Sequence, residues 1–246
     1  MAKSRNNWTR EQSLAALALY CQLPFGQMHA RCAAVVELST RIGRTPSAVA
    51  MKLVNFASLD PAHKQRGVGG LANVSALDRE LWDEFHSRWE ELANFNLAHA
   101  TEHVEQVSAE ETETTATVRR RIGQSFFRNC VLGAYELKCC LTGIAAPELL
   151  RARHIIPWSE SESRRLDPHN GLCLNALHDA AFDRGLITFD AEFRCIISPE
   201  LAPNVPEEVF AASFETYRGK PLTAPTRFAP ARECLQWHAD NVFRRG

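Results

Sequence analysis

Residues 151–158, RARHIIPW, and residues 169–185, HNGLCLNALHDAAFDRG, decide how the C-terminal part of this chain is read. Arg151 to Trp158 has strand character, and Pro157 ends it because proline has no N–H to give to a ladder. A charged loop, Ser159 to Pro168, follows. His169-Asn170-Gly171 has turn character, and Leu172 to Asn175 is a short returning strand. Asn175 caps a brief helix over Ala176 to Arg184, closed by Gly185. The local plan is strand, loop, strand, helix. It places His154 at the end of a strand, Asn170 at a turn and His178 in the first turn of a helix. Three of the 9 histidines, His154, His169 and His178, fall in this one stretch.

Working outward, the chain has 246 residues, 45% of them apolar and 23% charged, a composition ordinary for a globular protein. That length suggests one large domain or two modest ones. No apolar run approaches the ~20 residues of a membrane span, and MAKSRNNWTREQ lacks a secretory core. A cytoplasmic address is expected, with the 8 cysteines reduced. The net charge of −1 hides an asymmetry. Residues 1–70 carry 9 basic and 3 acidic residues, residues 71–117 carry 2 and 11, and residues 118–165 carry 9 and 4. Two basic blocks flank an acidic one, which keeps a polyanionic partner in view.

The first basic block reads as helices. Thr9 with Gln12 forms a capping-box pattern ahead of Leu14, Leu17, Ala18 and Cys21, and Pro24 stops that run. A second helix covers Ala33 to Ile42, ended by Gly43. Thr45-Pro46 then caps a third helix that runs to about Phe56. Helix, glycine turn and capped helix is the outline of a helix-turn-helix, and equally of a plain three-helix bundle. Arg44, Ser47, Lys52 and Asn55 are its candidate DNA contacts. WTREQ, ALALY and IGRTPSAVAMKL also resemble Myb/SANT-like modules. Ser75 to Leu97 reads as one acidic amphipathic helix with Leu77, Leu81, Trp82, Phe85 and Trp89 as its apolar stripe. Residues 97–117 read as an acidic linker. His99 and His103, one helical turn apart, read as a solvated face. The expected organisation is a helical DNA-binding domain (1–96), this linker, and a second domain over 118–246.

HIIPW, followed by HNGLCLN, AL and HDAAFDRG, resembles the HNH endonuclease family over Cys139 to about Asp190. The resemblance implies a ββα-metal fold and an α+β chain. It implies that His154, Asn170 and His178 are the signature residues of a phosphodiesterase leaving a 5′-phosphate and a 3′-hydroxyl. A neutral imidazole at His154 takes the proton of the attacking water. Asn170 either orients that imidazole or ligates a cation. His178 holds a divalent cation, Mg²⁺ or Mn²⁺, against the phosphate. Two departures stand out. Arg153 occupies the position before the base histidine where many members place a ligand, and Phe182 stands four residues after His178 where many place a second histidine. Asp183 is the nearest carboxylate, yet it lies ~140° around an ideal helix from His178, and Asp179 is a weaker candidate. No CxxC occurs, so the cysteines argue against structural zinc and read as buried thiols. Arg119, Arg120, Arg121, Arg151 and Arg153 are expected to meet phosphates.

The sequence therefore points to a metal-dependent HNH-type endonuclease of double-stranded DNA. Such resemblance commonly implies a restriction or defence role. A homodimer is one route to double-strand cutting. The rival readings are a catalytically silent DNA-binding or regulatory protein that keeps the fold, and a nuclease of RNA.

Overall fold

A computed structural model describes residues 7–65, 74–101 and 111–246, less the side chains of residues 65, 96–101, 111–116, 118 and 119. The side chains of His99, His103 and Arg119 lie outside what is described. The fold mixes helices with small antiparallel sheets. It divides into two compact units, Met1–Asn129 and Cys130–Gly246. The boundary falls within a long helix; of the stretch read as a linker, residues 102–110 are outside the described residues and 111–117 open that helix. Among the described residues, no helix is long and apolar enough to cross a membrane.

The first unit is helical. α1 (Arg10–Gln22), α2 (Ala33–Arg41), α3 (Pro46–Leu59), α4 (Pro61–Gln65), α5 (Ala76–Phe85), α6 (Trp89–Thr101) and the first part of α7 (Glu111–Ala134) make it up. Both halves of the capping box at Thr9 and Gln12 are formed, which fixes the start of α1. Ser13 to Ala18, Tyr20 and Cys21 are all buried, so α1 is the central element, packed by α3, α5 and α6. Thr45 caps α3 with Pro46 in the first turn. Tyr20 donates its hydroxyl proton to Asp60 Oδ2 at the end of α3 (2.7 Å). The acidic helix expected over Ser75 to Leu97 is two helices, α5 and α6. The break at His86–Arg88 turns the chain so that Trp89, Leu92 and Ala93 enter the core.

Four residues expected to meet DNA sit here with different exposures. Ser47 is exposed, while Arg44 and Asn55 are half-buried. Arg44 donates to Gln12 Oε1 and to the Asn7 carbonyl, and its guanidinium lies over the Trp8 ring. Lys52 is 5% exposed and its Nζ donates to Asp78 Oδ1 (2.6 Å), with Trp8 as a cation–π partner. Its charge therefore holds α3 to α5 instead of facing outward. The helical period explains this: Val49, Lys52, Leu53 and Phe56 share the inward face of α3.

In the second unit, β1 (Leu150–His154) pairs antiparallel with β2 (Gly171–Asn175), with Arg153 opposite Leu172 and His154 opposite Gly171. α8 (Ala176–Asp183) starts directly after β2, capped by the Asn175 side chain on the Leu177 and His178 N–H groups, and packs on both strands. A second hairpin, β3 (Ile187–Phe189) with β4 (Cys195–Ile197), backs α8. α9 (Glu207–Ser213) and α10 (Arg232–Asn241) complete the unit. Gly185, at φ +69°, ends α8 where a Cβ would meet the Val242 carbonyl oxygen at 2.0 Å, so only glycine fits this approach. His238 of α10 is buried. Its Nε2 donates to the Phe182 carbonyl (3.0 Å), its Nδ1 accepts from the Thr188 hydroxyl (2.9 Å), and its ring stacks on Phe182. Burial holds its pKa down at about 4.

Two outcomes follow from this packing. Replacing Lys52 with Ala leaves Asp78 buried and uncompensated; the expected cost is ~3–5 kcal/mol, read by urea unfolding. His238 titrates near the ordinary 6.5 when unfolded and at about 4 when folded. The unfolded chain thus binds the proton first, and the neutral-His238 contribution, ~3 kcal/mol, is full above pH 6.5 and is lost as pH falls toward 4. Urea unfolding of wild type and His238→Gln across that window checks it: the variant loses less stability on acidification.

Candidate active site

His154 is the last residue of β1, half-buried, with its ring edge-on to Trp158. Its Nε2 lies 2.8 Å from the Arg165 carbonyl oxygen. A carbonyl only accepts, so Nε2 carries the proton and donates it. In the neutral ring that leaves Nδ1 as the basic nitrogen. Burial, with a smaller effect from the neighbouring Arg153 charge, pushes the His154 pKa below the ordinary 6.5, against the opposing pull of the Arg165 carbonyl. The ring is thus neutral at neutral pH, the form a general base requires.

The loop that carries this carbonyl is held by Asn170. This carboxamide is 1% exposed. Its Oδ1 accepts from the Ile156 N–H (2.8 Å), and its Nδ2 donates to the carbonyls of Ile156 (3.0 Å) and Arg164 (3.2 Å). Asn170 therefore clips the start of the 157–167 loop to its far end, one residue from the carbonyl that His154 engages. It positions the histidine through the loop backbone.

His154 lines a cavity of about 190 Å³ together with Arg153, Trp158, Asp183 and His238. His178 does not line it. Its ring lies in a second cavity, of about 500 Å³, beside Asn175, Ser213 and Tyr217. There its Nε2 donates to the Ser213 carbonyl (2.7 Å) and its Nδ1 accepts from Asn175 Nδ2 (2.9 Å). Both ring nitrogens are engaged, and burial lowers its pKa. The reason for the separation is helical geometry. His178 and Asp183 lie ~140° apart on α8, whereas Asp179 and Asp183, four residues apart, share the face toward β1.

That face meets Arg153. The guanidinium donates to Asp179 through Nε and Nη2 (2.7 and 2.9 Å) and to Asp183 through Nη1 (2.5 Å). Among the arginines expected to meet phosphates, Arg120, Arg121 and Arg151 are exposed, whereas Arg153 is held in this clamp. Nearby, Cys139 Sγ accepts from the Asn175 N–H, and burial pushes the Cys140 thiol well up, so it is protonated. Sequence reasoning missed His238, which reaches the cavity from a helix with no linear pattern linking it to the motif. It undervalued Asp179, although the i, i+4 spacing to Asp183 was in plain view.

Residues 139–190 match the model of the HNH endonuclease family. The matched segment holds β1, β2, α8 and β3, with His154, Asn170 and His178 inside it. No curated protein matches the chain. HNH nucleases typically use a divalent metal. The ligands expected from sequence do not converge on one: Asn170 is clipped to backbone, His178 faces another cavity, and Asp183 holds Arg153. Among the described residues, no group of three His, Cys, Asp or Glu side chains stands ready to hold a metal ion. As arranged, the residues do not fit the ion.

Asn170→Ala removes three buried hydrogen bonds from the loop. The expected result is a loss of ~1–3 kcal/mol in urea unfolding, from groups left unpaired. Water then reaches His154 and relieves the burial that lowers its pKa, so its NMR-detected pKa moves back toward the ordinary histidine value.

Proposed function

We propose that this protein is an endonuclease that hydrolyses phosphodiester bonds at the His154 cavity. The observation that carries this reading is the state of His154. It is a neutral imidazole at a strand end, with Nε2 committed to a backbone carbonyl and Nδ1 left basic, inside the segment that matches the HNH endonuclease family. Nδ1 takes the proton of the attacking water as its oxygen closes on phosphorus. The P–O3′ bond breaks on the opposite side and the leaving oxygen takes a proton from solvent, giving a 5′-phosphate and a 3′-hydroxyl, while His154 returns its proton to solvent. Trp158 and the loop clipped by Asn170 hold the base in place.

Double-stranded DNA is the substrate we favour. The exposed Arg120, Arg121 and Arg151 supply phosphate contacts, and Ser47 on the exposed side of α3 supplies groove contact. In this reading α2 and α3 act as a helix-turn-helix, and host defence by cutting foreign DNA is the setting. The Arg153 clamp favours a second reading, a silent nucleic-acid-binding protein that keeps the fold, because it occupies the carboxylates on the face of α8 toward β1.

One set of assays separates them. The full chain is incubated with plasmid DNA, and in parallel with structured RNA, in Mg²⁺, in Mn²⁺ or in EDTA. Nicking of DNA above the RNA rate is expected. His154→Ala should lower it by ~10²–10⁴ with DNA binding retained. Since the base must be neutral, kcat/KM falls as pH drops through the His154 pKa, and that limb is centred below 6.5. An absence of cleavage in every condition establishes the silent reading. A His154→Ala rate within threefold of wild type removes His154 from the chemistry.

A further inference from the structure

The loop that carries the partner carbonyl of His154 is tied a second time, by the side chain of Arg165. Arg165 is half-buried. Its Nε donates to the Trp158 carbonyl (3.0 Å), and its guanidinium carbon lies 5.5 Å from the centre of the Trp158 ring. Its Nη1 donates to Glu162 (3.1 Å). The Arg165 backbone carbonyl accepts the Nε2 proton of His154 (2.8 Å). The Trp158 ring meets the His154 ring edge-on, with 5.6 Å between centres. His154, Arg165 and Trp158 thus form a closed triangle in which each residue touches the other two. The bonds of Asn170 to Ile156 and Arg164 stop two residues short of Trp158 and one short of the Arg165 carbonyl. The Arg165 N–H reaches the Glu162 carbonyl only at 3.3 Å. The Arg165 side chain supplies the tight link from this end of the loop to Trp158. A planar guanidinium suits that link, because it lies over an indole while one of its N–H groups donates in its own plane.

We infer that Arg165 is a positioning residue for His154. Its guanidinium locks Trp158 and its own backbone carbonyl into one arrangement, and that arrangement keeps Nε2 as the protonated nitrogen and Nδ1 as the basic one. The tautomer of an imidazole is set by the hydrogen bond its other nitrogen makes, so a carbonyl free to shift leaves the ring to exchange between both forms. Arg165 acts through the ring it aligns and not by contact with the phosphate. Its loss therefore lowers the rate of the bound complex and leaves substrate affinity nearly as it was. The inference rests on the nuclease reading for this catalytic consequence. The tautomer itself is read without cleavage.

The test uses the full chain with ¹⁵N-labelled histidine, as wild type, Arg165→Met and Arg165→Lys, with His154→Gln to assign the His154 signals. Each variant is checked for native circular dichroism. Methionine keeps an apolar stem without donors, charge or planar head. Lysine keeps the charge, but an ammonium has no plane to lay on the indole while it donates to the Trp158 carbonyl. Wild type should show the His154 nitrogen shifts of a single tautomer, protonated at Nε2. Arg165→Met should show the averaged shifts of two exchanging tautomers, and Arg165→Lys should fall between. In whichever of the conditions above supports wild-type nicking, Arg165→Met should lower kcat by ~10–100-fold with KM changed less than about threefold. Lysine should restore part of that rate. A single, wild-type tautomer in Arg165→Met overturns the inference. So does a raised KM with unchanged kcat, which would make Arg165 a phosphate contact. If Arg165→Met does not fold, a wild-type tautomer and rate in Arg165→Lys overturn it equally. If the nuclease reading fails, no sample cleaves but the tautomers still differ. If only the inference fails, wild type cleaves and the tautomers coincide.

Discussion

The Asn170 carboxamide is where the second unit is tied together. Three hydrogen bonds from one buried side chain join Ile156, just past β1, to Arg164, near the far end of the charged loop. Without that clip, a loop rich in Ser, Glu and Arg has little apolar surface with which to order itself. With it, the Arg165 carbonyl stands in one place, and His154 has one tautomer. A side chain bonded to the loop backbone thus holds in place the carbonyl that sets the imidazole's tautomer.

The same region shows how strongly one short helix partitions a site. α8 begins at a strand end and is capped by Asn175, so its phase is fixed by β2. That phase sends His178 toward α9 and the second cavity, and sends Asp179 and Asp183 toward β1. Arg153 then satisfies both carboxylates at once. The two faces serve different ends: one locks the helix into the fold through a fully bonded histidine, and the other builds a charged clamp beside His154.

In the first unit the deciding interaction is also a charge turned inward. Lys52 and Asp78 join α3 to α5 across a buried contact, with Trp8 covering the ammonium. A buried pair of this kind adds little net stability over apolar groups but is costly to break. It makes α3 a structural helix on one side and leaves Ser47 and Met51 on the other.

Much of this was legible in the linear sequence, because local rules act over a few residues. The Thr9–Gln12 capping box, the Thr45-Pro46 helix start, the Asn175 cap and the strand–loop–strand–helix order all follow from backbone groups that must be satisfied nearby. His154 at a strand end and Asn170 at the turn were readable for the same reason. Tertiary structure alone decided the rest. Residues 75–97 carry one helical period, yet the chain breaks at His86–Arg88, because burying Trp89 and Leu92 outweighs continuity. Lys52 carries a charge that suggests solvent, yet an acid 26 residues on takes it inside. His178 stands where the sequence suggests a metal ligand, yet the Ser213 carbonyl claims its second nitrogen. In each case the partner lies far along the chain. No spacing rule reaches that far, and only the packed fold brings the two groups to bonding distance.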